Sequence, residues 1–300
     1  MGLDCQIFIL NVKRHGFRSG ERIKGTLRYS VDEPTEFETI TISFKGEGII
    51  KWTSDGEYNS LKEEYLDLNT SVLERKEKKN VGVYDHPFQF LLPEDLPSSL
   101  NHPLCKISYR VSAAFVTTLR QNNKEEFHNV VPVFGYLKPD SPEILAFRLT
   151  KRPFSLISAQ KTVNCNINIQ KTFLAPGEII KINVMIRNDT HIHVSCIKFK
   201  LICEYIYITS SKEKVMKQQT IKESVREFPA IDDNVAYLMC AIPTLLNVYS
   251  VHNAKFFKRD YKLVITAKFP FPNKKVSLHI PVIIGERQCS KDRTEKCVVF

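Results

Sequence analysis

The chain has 300 residues, 43% of them hydrophobic and 25% charged, and a formal charge of +10. That length suffices for two domains with separate cores, and the composition excludes a disordered, collagen-like or disulfide-scaffold chain. No apolar run reaches the roughly 18 residues of a spanning helix, and a basic excess favours acidic partners.

Met1-Gly2-Leu3-Asp4-Cys5 has no charged region followed by an apolar run, so no secretory leader is expected. A cytosolic chain follows, with its eight cysteines reduced. The sequons at Asn69 and Asn188 are then expected to stay bare. Residues 5 to 12 alternate as a strand. Gly20-Glu21 then closes a turn, and Ile23, Gly25, Leu27 and Tyr29 alternate with Arg22, Lys24, Thr26 and Arg28. Period two with one apolar face marks a half-buried antiparallel strand. Phe37 to Trp52 is a long strand, broken at Ser54-Asp55-Gly56. The charged stretch from Tyr58 to Tyr65 and on to Lys79 reads as loop. His86 to Pro93 is a short strand, and Leu96 to Leu100 is a loop or one helical turn. Ile107 to Val116 and His128 to Phe134 are further strands. Leu137 to Pro153 reads as a crossover.

The order then repeats. Pro176-Gly177-Glu178 closes a second turn, and Ile180, Ile182, Val184 and Ile186 alternate after it. The offset between the turn glycines is 177 − 20 = 157 residues, about one domain. Val163 to Ile169 precedes the turn as an edge-like strand, and Ile197 to Tyr207 is the long strand. Ala241-Ile242-Pro243 answers Leu91-Leu92-Pro93, Tyr261 to Ile265 answers Tyr109 to Ser112, and Ile280-Pro281-Val282 answers Val131-Pro132-Val133. No helical period appears. The expectation is an all-β protein of two antiparallel β-sandwich, immunoglobulin-like domains, about seven strands each. They occupy residues 1–150 and 151–286, with a tail at 287–300.

These residues resemble a family. The Gly-Glu turn with its strand, Trp52, Pro87-Phe88-Gln89-Phe90-Leu91-Leu92-Pro93 and Ile107-Ser108-Tyr109-Arg110-Val111 look like an arrestin N-domain. Pro176-Gly177-Glu178, Asn188, Ile242-Pro243 and Ile280 to Gly285 look like the C-domain. The chain is similar to the α-arrestins, the arrestin-domain-containing adaptors, from about residue 5 to 285. The resemblance implies two sandwiches side by side. It also implies a non-enzymatic adaptor in endocytosis and protein transport, cytoplasmic and peripheral to plasma membrane or endosomes. Such an adaptor binds cytosolic segments of membrane cargo and links them to sorting or ubiquitination machinery. The alternative is a structural subunit of a retromer-like coat. Longer α-arrestins carry Pro-Pro-x-Tyr motifs, and this sequence has no Pro-Pro pair. A ubiquitin ligase is therefore expected only through a partner.

Cys297-Val298-Val299-Phe300 fits a C-a-a-X prenylation box, and Cys289 is placed for a second lipid. The same tail also reads as unmodified, or as a PDZ ligand. Arg14, Arg18, Arg22 and Lys24 gather around the first turn, where they would meet anionic lipid or phosphorylated segments. A second basic group runs from Lys255 to Lys275. Outward lysines that blunt strand edges are the plainer reading of the individual residues, while the first cluster as a whole is read as a surface for acidic partners. His191, His193 and Cys196 fall on different strand faces, so no metal site is expected. Cys165, Cys196, Cys203 and Cys240 read as small buried hydrophobes. No nucleophile elbow, P-loop or dinucleotide fingerprint is present. No catalytic residue, metal, cofactor or nucleic-acid partner is expected.

Overall fold

The computed structural model describes residues 2–10, 16–54, 56–118, 124–137, 143–152, 161–190, 192–208, 214–227, 235–245 and 248–286. Among them the chain is all strand and turn, with no helix. The first strands are β1 (Leu3–Leu10), β2 (Phe17–Arg18), β3 (Arg22–Val31) and β4 (Thr35–Ser54). Then come β5 (Glu57–Leu73), β6 (Glu77–Lys79), β7 (Gly82–Leu91) and β8 (Leu100–His102). The half closes with β9 (Cys105–Thr117), β10 (Lys124–Val130) and β11 (Val133–Phe134). The second half holds β12 (Ala146–Lys151), β13 (Val163–Ile169), β14 (Phe173–Leu174) and β15 (Ile179–Asn188). It ends with β16 (Cys196–Ile208), β17 (Lys214–Glu227), β18 (Val235–Pro243), β19 (Phe257–Lys268) and β20 (Val276–Ile284).

The chain divides into two compact units, and Leu137 opens the second. Ile208 and residues 251–257 belong to the first. β12 spans the expected 150/151 junction.

In the first unit, the sheet β1-β3-β7 and the sheet β10-β9-β4-β5 enclose the core, and β2 pairs in parallel with β11. Ile23, Leu27, Phe37, Ile42, Phe44 and Phe115 are fully buried. The 57–73 stretch is not a loop: it is β5, paired with β4 from Ser54–Glu57 to Ile40–Leu73. Its charges hid the strand because an edge strand tolerates polar residues on its open side. One of those charges is buried. The Glu63 carboxylate, 9% exposed, accepts bonds from the N–H of Lys255 at 2.9 Å and from the Tyr65 hydroxyl at 3.1 Å. A buried carboxylate needs such donors.

In the second unit, β12-β13-β15-β18 faces β14-β20-β19-β16-β17. The four internal cysteines behave as small hydrophobes: Cys165, Cys196, Cys203 and Cys240 are buried, and burial pushes the Cys165 thiol up to about 11.

The two turns have one geometry. Glu21 Oε2 accepts the Arg18 N–H at 2.9 Å, and Glu178 Oε2 accepts the Ala175 N–H at 2.7 Å. Gly20 and Gly177 hold φ of 77° and 86°, a region that strains side chains other than glycine. A second duplicated device was not read from the sequence. The Ser99 N–H donates to Val133 O while Ser99 Oγ accepts from the Val133 N–H. Ser250 clasps Ile284 in the same way. The clasps give an offset of 284 − 133 = 151, so Val133 matches Ile284 rather than Val282. Likewise Ile23 pairs with Phe90 and Ile180 with Ile242. Pro243 therefore answers Leu91, not Pro93. Both sequence alignments slipped by two residues, a slip that preserves every inward and outward position and so leaves the alternation unchanged.

Candidate functional site

β1 forms because Leu3, Cys5, Ile7 and Ile9 alternate with Asp4, Gln6, Phe8 and Leu10, and it pairs with β3 from Leu3–Val31 to Leu10–Lys24. Which backbone groups it spends on β3 follows from a proline. Pro87 of β7 stands opposite Thr26 and has no N–H, so that pair exchanges no bonds. Thr26 therefore turns its N–H and C=O toward β1, where it faces Phe8. Gly2 has the same parity, and its carbonyl accepts the Asp32 N–H at 3.3 Å. The backbone groups of Cys5, Ile7 and Ile9 thus point away from β3, to the open edge of the sheet. Ile7 O accepts the Asn129 side-chain amide there, at 3.3 Å.

Beside this edge lies a crevice of about 560 Å³, lined by Cys5 to Phe8 on one side and Glu126 to Asn129 of β10 on the other. The inward side chains Leu3, Cys5, Ile7 and Ile9 are only half-buried. Burial, with some help from Asp4, pushes the Cys5 thiol up to about 12, so it is no thiolate.

The second unit has the same edge, but covered. β12 pairs antiparallel with β13 from Ala146–Asn168 to Lys151–Val163, and the Ile169 N–H donates to Leu145 O at 2.8 Å. Val163, Cys165, Ile167 and Ile169 are then at most 3% exposed. The stretch read as a crossover thus contains a capping strand.

The basic residues of the first turn separate. Arg22 and Lys24 share the outward face of β3, with Arg22 Nη1 donating to Gln89 Oε1 at 3.3 Å. Arg18 sits on β2, in the small sheet with β11, and Arg14 lies outside the described residues. Arg28 forks onto Asp85 at 2.7 and 2.8 Å, which holds that carboxyl below its usual range. The later basic group also divides. Arg259 is a core residue, 7% exposed, with Nε on the Tyr249 carbonyl and its guanidinium 4.2 Å from the Tyr249 ring centre. Lys258 pairs with Asp260 and Lys262 with Glu204. Cys289, Cys297 and His191 lie outside the described residues; His193 is exposed and Cys196 buried.

One exposed feature was absent from the sequence reading. Phe271 caps the β19–β20 hairpin at 97% exposure, closed by the Asn273 N–H on Pro270 O. Lys268, Lys274 and Lys275 flank it.

Comparison with known proteins gives matches along the whole fold. Residues 5–136 match the N-terminal domain of arrestin (or S-antigen), and residues 159–289 match its C-terminal domain. Arrestin domain-containing protein 1 of Mus musculus is 22% identical over 291 residues, covering 93% of this chain and 63% of its own length. Thioredoxin-interacting protein of Homo sapiens is 23% identical over 299 residues, with 95% and 75% covered. Arrestin domain-containing protein 5 of Homo sapiens is 21% identical over 298 residues, with 89% and 84% covered. The chain thus spans under two thirds of the first relative's length.

Proposed function

Because the chain belongs to the arrestin family, carrying its N- and C-terminal domains in tandem, we propose that it is a non-enzymatic adaptor in membrane-protein trafficking and endocytosis. The observation that carries this reading is the open β1 edge. A cytosolic segment of a membrane protein takes there the place that β12 takes on β13. Main-chain bonds to Cys5, Ile7 and Ile9 supply about 0.5–1.5 kcal/mol each. Its alternate side chains enter the crevice beside Cys5 and Ile7, contributing roughly 25 cal/mol per Å² of apolar surface covered. This is recognition by strand addition. Arg22 and Lys24 favour acidic or phosphorylated residues near the Leu10 end.

The Phe271 hairpin supports peripheral attachment to the cytoplasmic side of plasma membrane or endosomes. An aromatic ring between lysines enters the headgroup boundary while the ammonium groups meet anionic lipid. A bound cargo is thereby held at a membrane where sorting or ubiquitination factors act, reached through further partners.

Proximity labelling in cells tests this, comparing the native chain with Ile7→Pro. That proline removes an edge donor while leaving the β3 ladder intact. Integral membrane proteins enriched around the native chain are expected to vanish with Ile7→Pro. An unchanged set of neighbours overturns the reading.

A further inference from the structure

The adaptor reading leaves one large surface unused, the outward face of β12-β13-β15-β18. Its strands align in rungs. One rung is Arg148, Asn166, Met185 and Tyr237. The next is Ala146, Asn168, Asn183 and Met239, and on the other side stands Thr150, Asn164, Arg187 and Val235. These three rungs contain no carboxylate. Tyr237 and Met239 are each 79% exposed, and Val235 is 41% exposed. Lys181 adds a further cation beside Ala241.

Solubility alone asks for something else here. β18 is the edge of its sheet, and edges are usually blunted with charge. This edge instead carries tyrosine and methionine on its outward positions. Tyr, Met and Arg are the residues enriched at the centres of protein interfaces, where Lys, Glu and Asp are depleted. Methionine also adapts its shape to what covers it. The corresponding face of the first unit is different. There the rung Gln6, Arg28 and Asp85 includes a carboxylate that neutralises its arginine.

We propose that this face docks an acidic protein segment, whose apolar side chains cover Tyr237 and Met239 while its carboxylates meet Arg148 and Lys181. The charge names the occupant. A second copy of the chain would set these same cations against themselves, which costs affinity. Arg187 already pairs with Asp189 at 3.3 Å, so the charge that selects the partner rests on Arg148 and Lys181.

The test uses the full chain and a fluorescein-labelled peptide of alternating glutamate and leucine, with a lysine–leucine peptide beside it, read by anisotropy at low and high salt. The acidic peptide is expected to bind, more weakly at high salt. Replacing both anchors, Tyr237→Ser with Met239→Ser, is expected to weaken it about tenfold or more, as loss of central anchors does. Arg148→Glu is expected to weaken it in the same direction. All three substitutions are at outward positions, and an unchanged melting temperature shows that the fold is intact. Ile7→Pro, which blocks the β1 edge, is expected to leave this binding unchanged. Four peptide results overturn the proposal: no binding of the acidic peptide, equal binding of the basic peptide, binding lost with Ile7→Pro instead, or indifference to the anchors. Dimerisation abolished by Tyr237→Ser would assign the face to a second copy. Anionic-vesicle binding abolished by it would assign the face to lipid. Either result contradicts the proposal.

Discussion

The two units repeat one plan and differ at one edge. In the second, β12 lies along β13, and the inward residues of β13 are at most 3% exposed. In the first, β1 has no such neighbour on its outer side among the described residues, and its inward residues stay half-buried. The backbone groups that Ile169 uses on Leu145 are the groups that Ile7 and Ile9 direct outward. The second unit therefore displays, within the chain itself, what an added strand does to this edge.

The common plan makes the largest prediction. Ile23 and Ile180 hold matching positions and are both fully buried. Ile→Ala at either site is expected to cost about 2–5 kcal/mol in urea unfolding, because a cavity remains where the side chain was. Unequal losses would break the equivalence.

The differing edge makes the next. Measured against Ile167→Ala, Ile167→Pro removes in addition an N–H that β12 uses and is expected to cost about 1–3 kcal/mol more. Measured against Ile7→Ala, Ile7→Pro at the open edge is expected to cost well under that, about 0.5 kcal/mol or less. Equal costs would mean that the β1 edge is already occupied. The serine clasps come third. Ser99→Ala and Ser250→Ala each strip an acceptor from a buried N–H, and each is expected to cost about 1–2 kcal/mol.

Smallest are two pH effects, which distinguish the units. Burial holds His86 of β7 below its ordinary 6.5. The unfolded chain then takes up the proton first, so stability is full above that value and falls as pH drops beneath it, until folded His86 titrates too. His86→Phe is expected to remove this slope. Glu178 of the second turn is held below its ordinary 4.5 by Lys171, and further by the Ala175 N–H. Its contribution is present above that value and is lost as pH falls through the depressed one. Glu178→Gln is expected to flatten the acid limb in the second unit alone. Unfolding followed across pH for both variants checks the two signs.

Much of the fold was legible in sequence because the turn glycines, the Gly-Glu pairs and the alternation are local signals. The strands after Gly20 and Gly177 needed nothing more. What was hidden is non-local. β12 looked like a connector, since Phe147-Arg148-Leu149-Thr150 is too short for its alternation to stand out. β5 looked like a loop because Glu63 is charged, and its donors on Lys255 and Phe256 lie far along the chain. The openness of β1 depends on Pro87 and on the absence, among the described residues, of a counterpart to β12, neither of which a strand's own sequence records. The Tyr237–Met239 face needed three neighbouring strands in register before its lack of carboxylates could be seen.

Amide hydrogen exchange resolved residue by residue tests strand addition at β1, first on the free chain and then with a cargo segment found by proximity labelling. Fast exchange is expected at Cys5, Ile7 and Ile9 and slow exchange at Cys165, Ile167 and Ile169 in the free chain. The segment is expected to slow the first three and leave the second three unchanged. Protection of Ile7 and Ile9 in the free chain equal to that of Ile167 and Ile169, or no change on adding the segment, would contradict strand addition there.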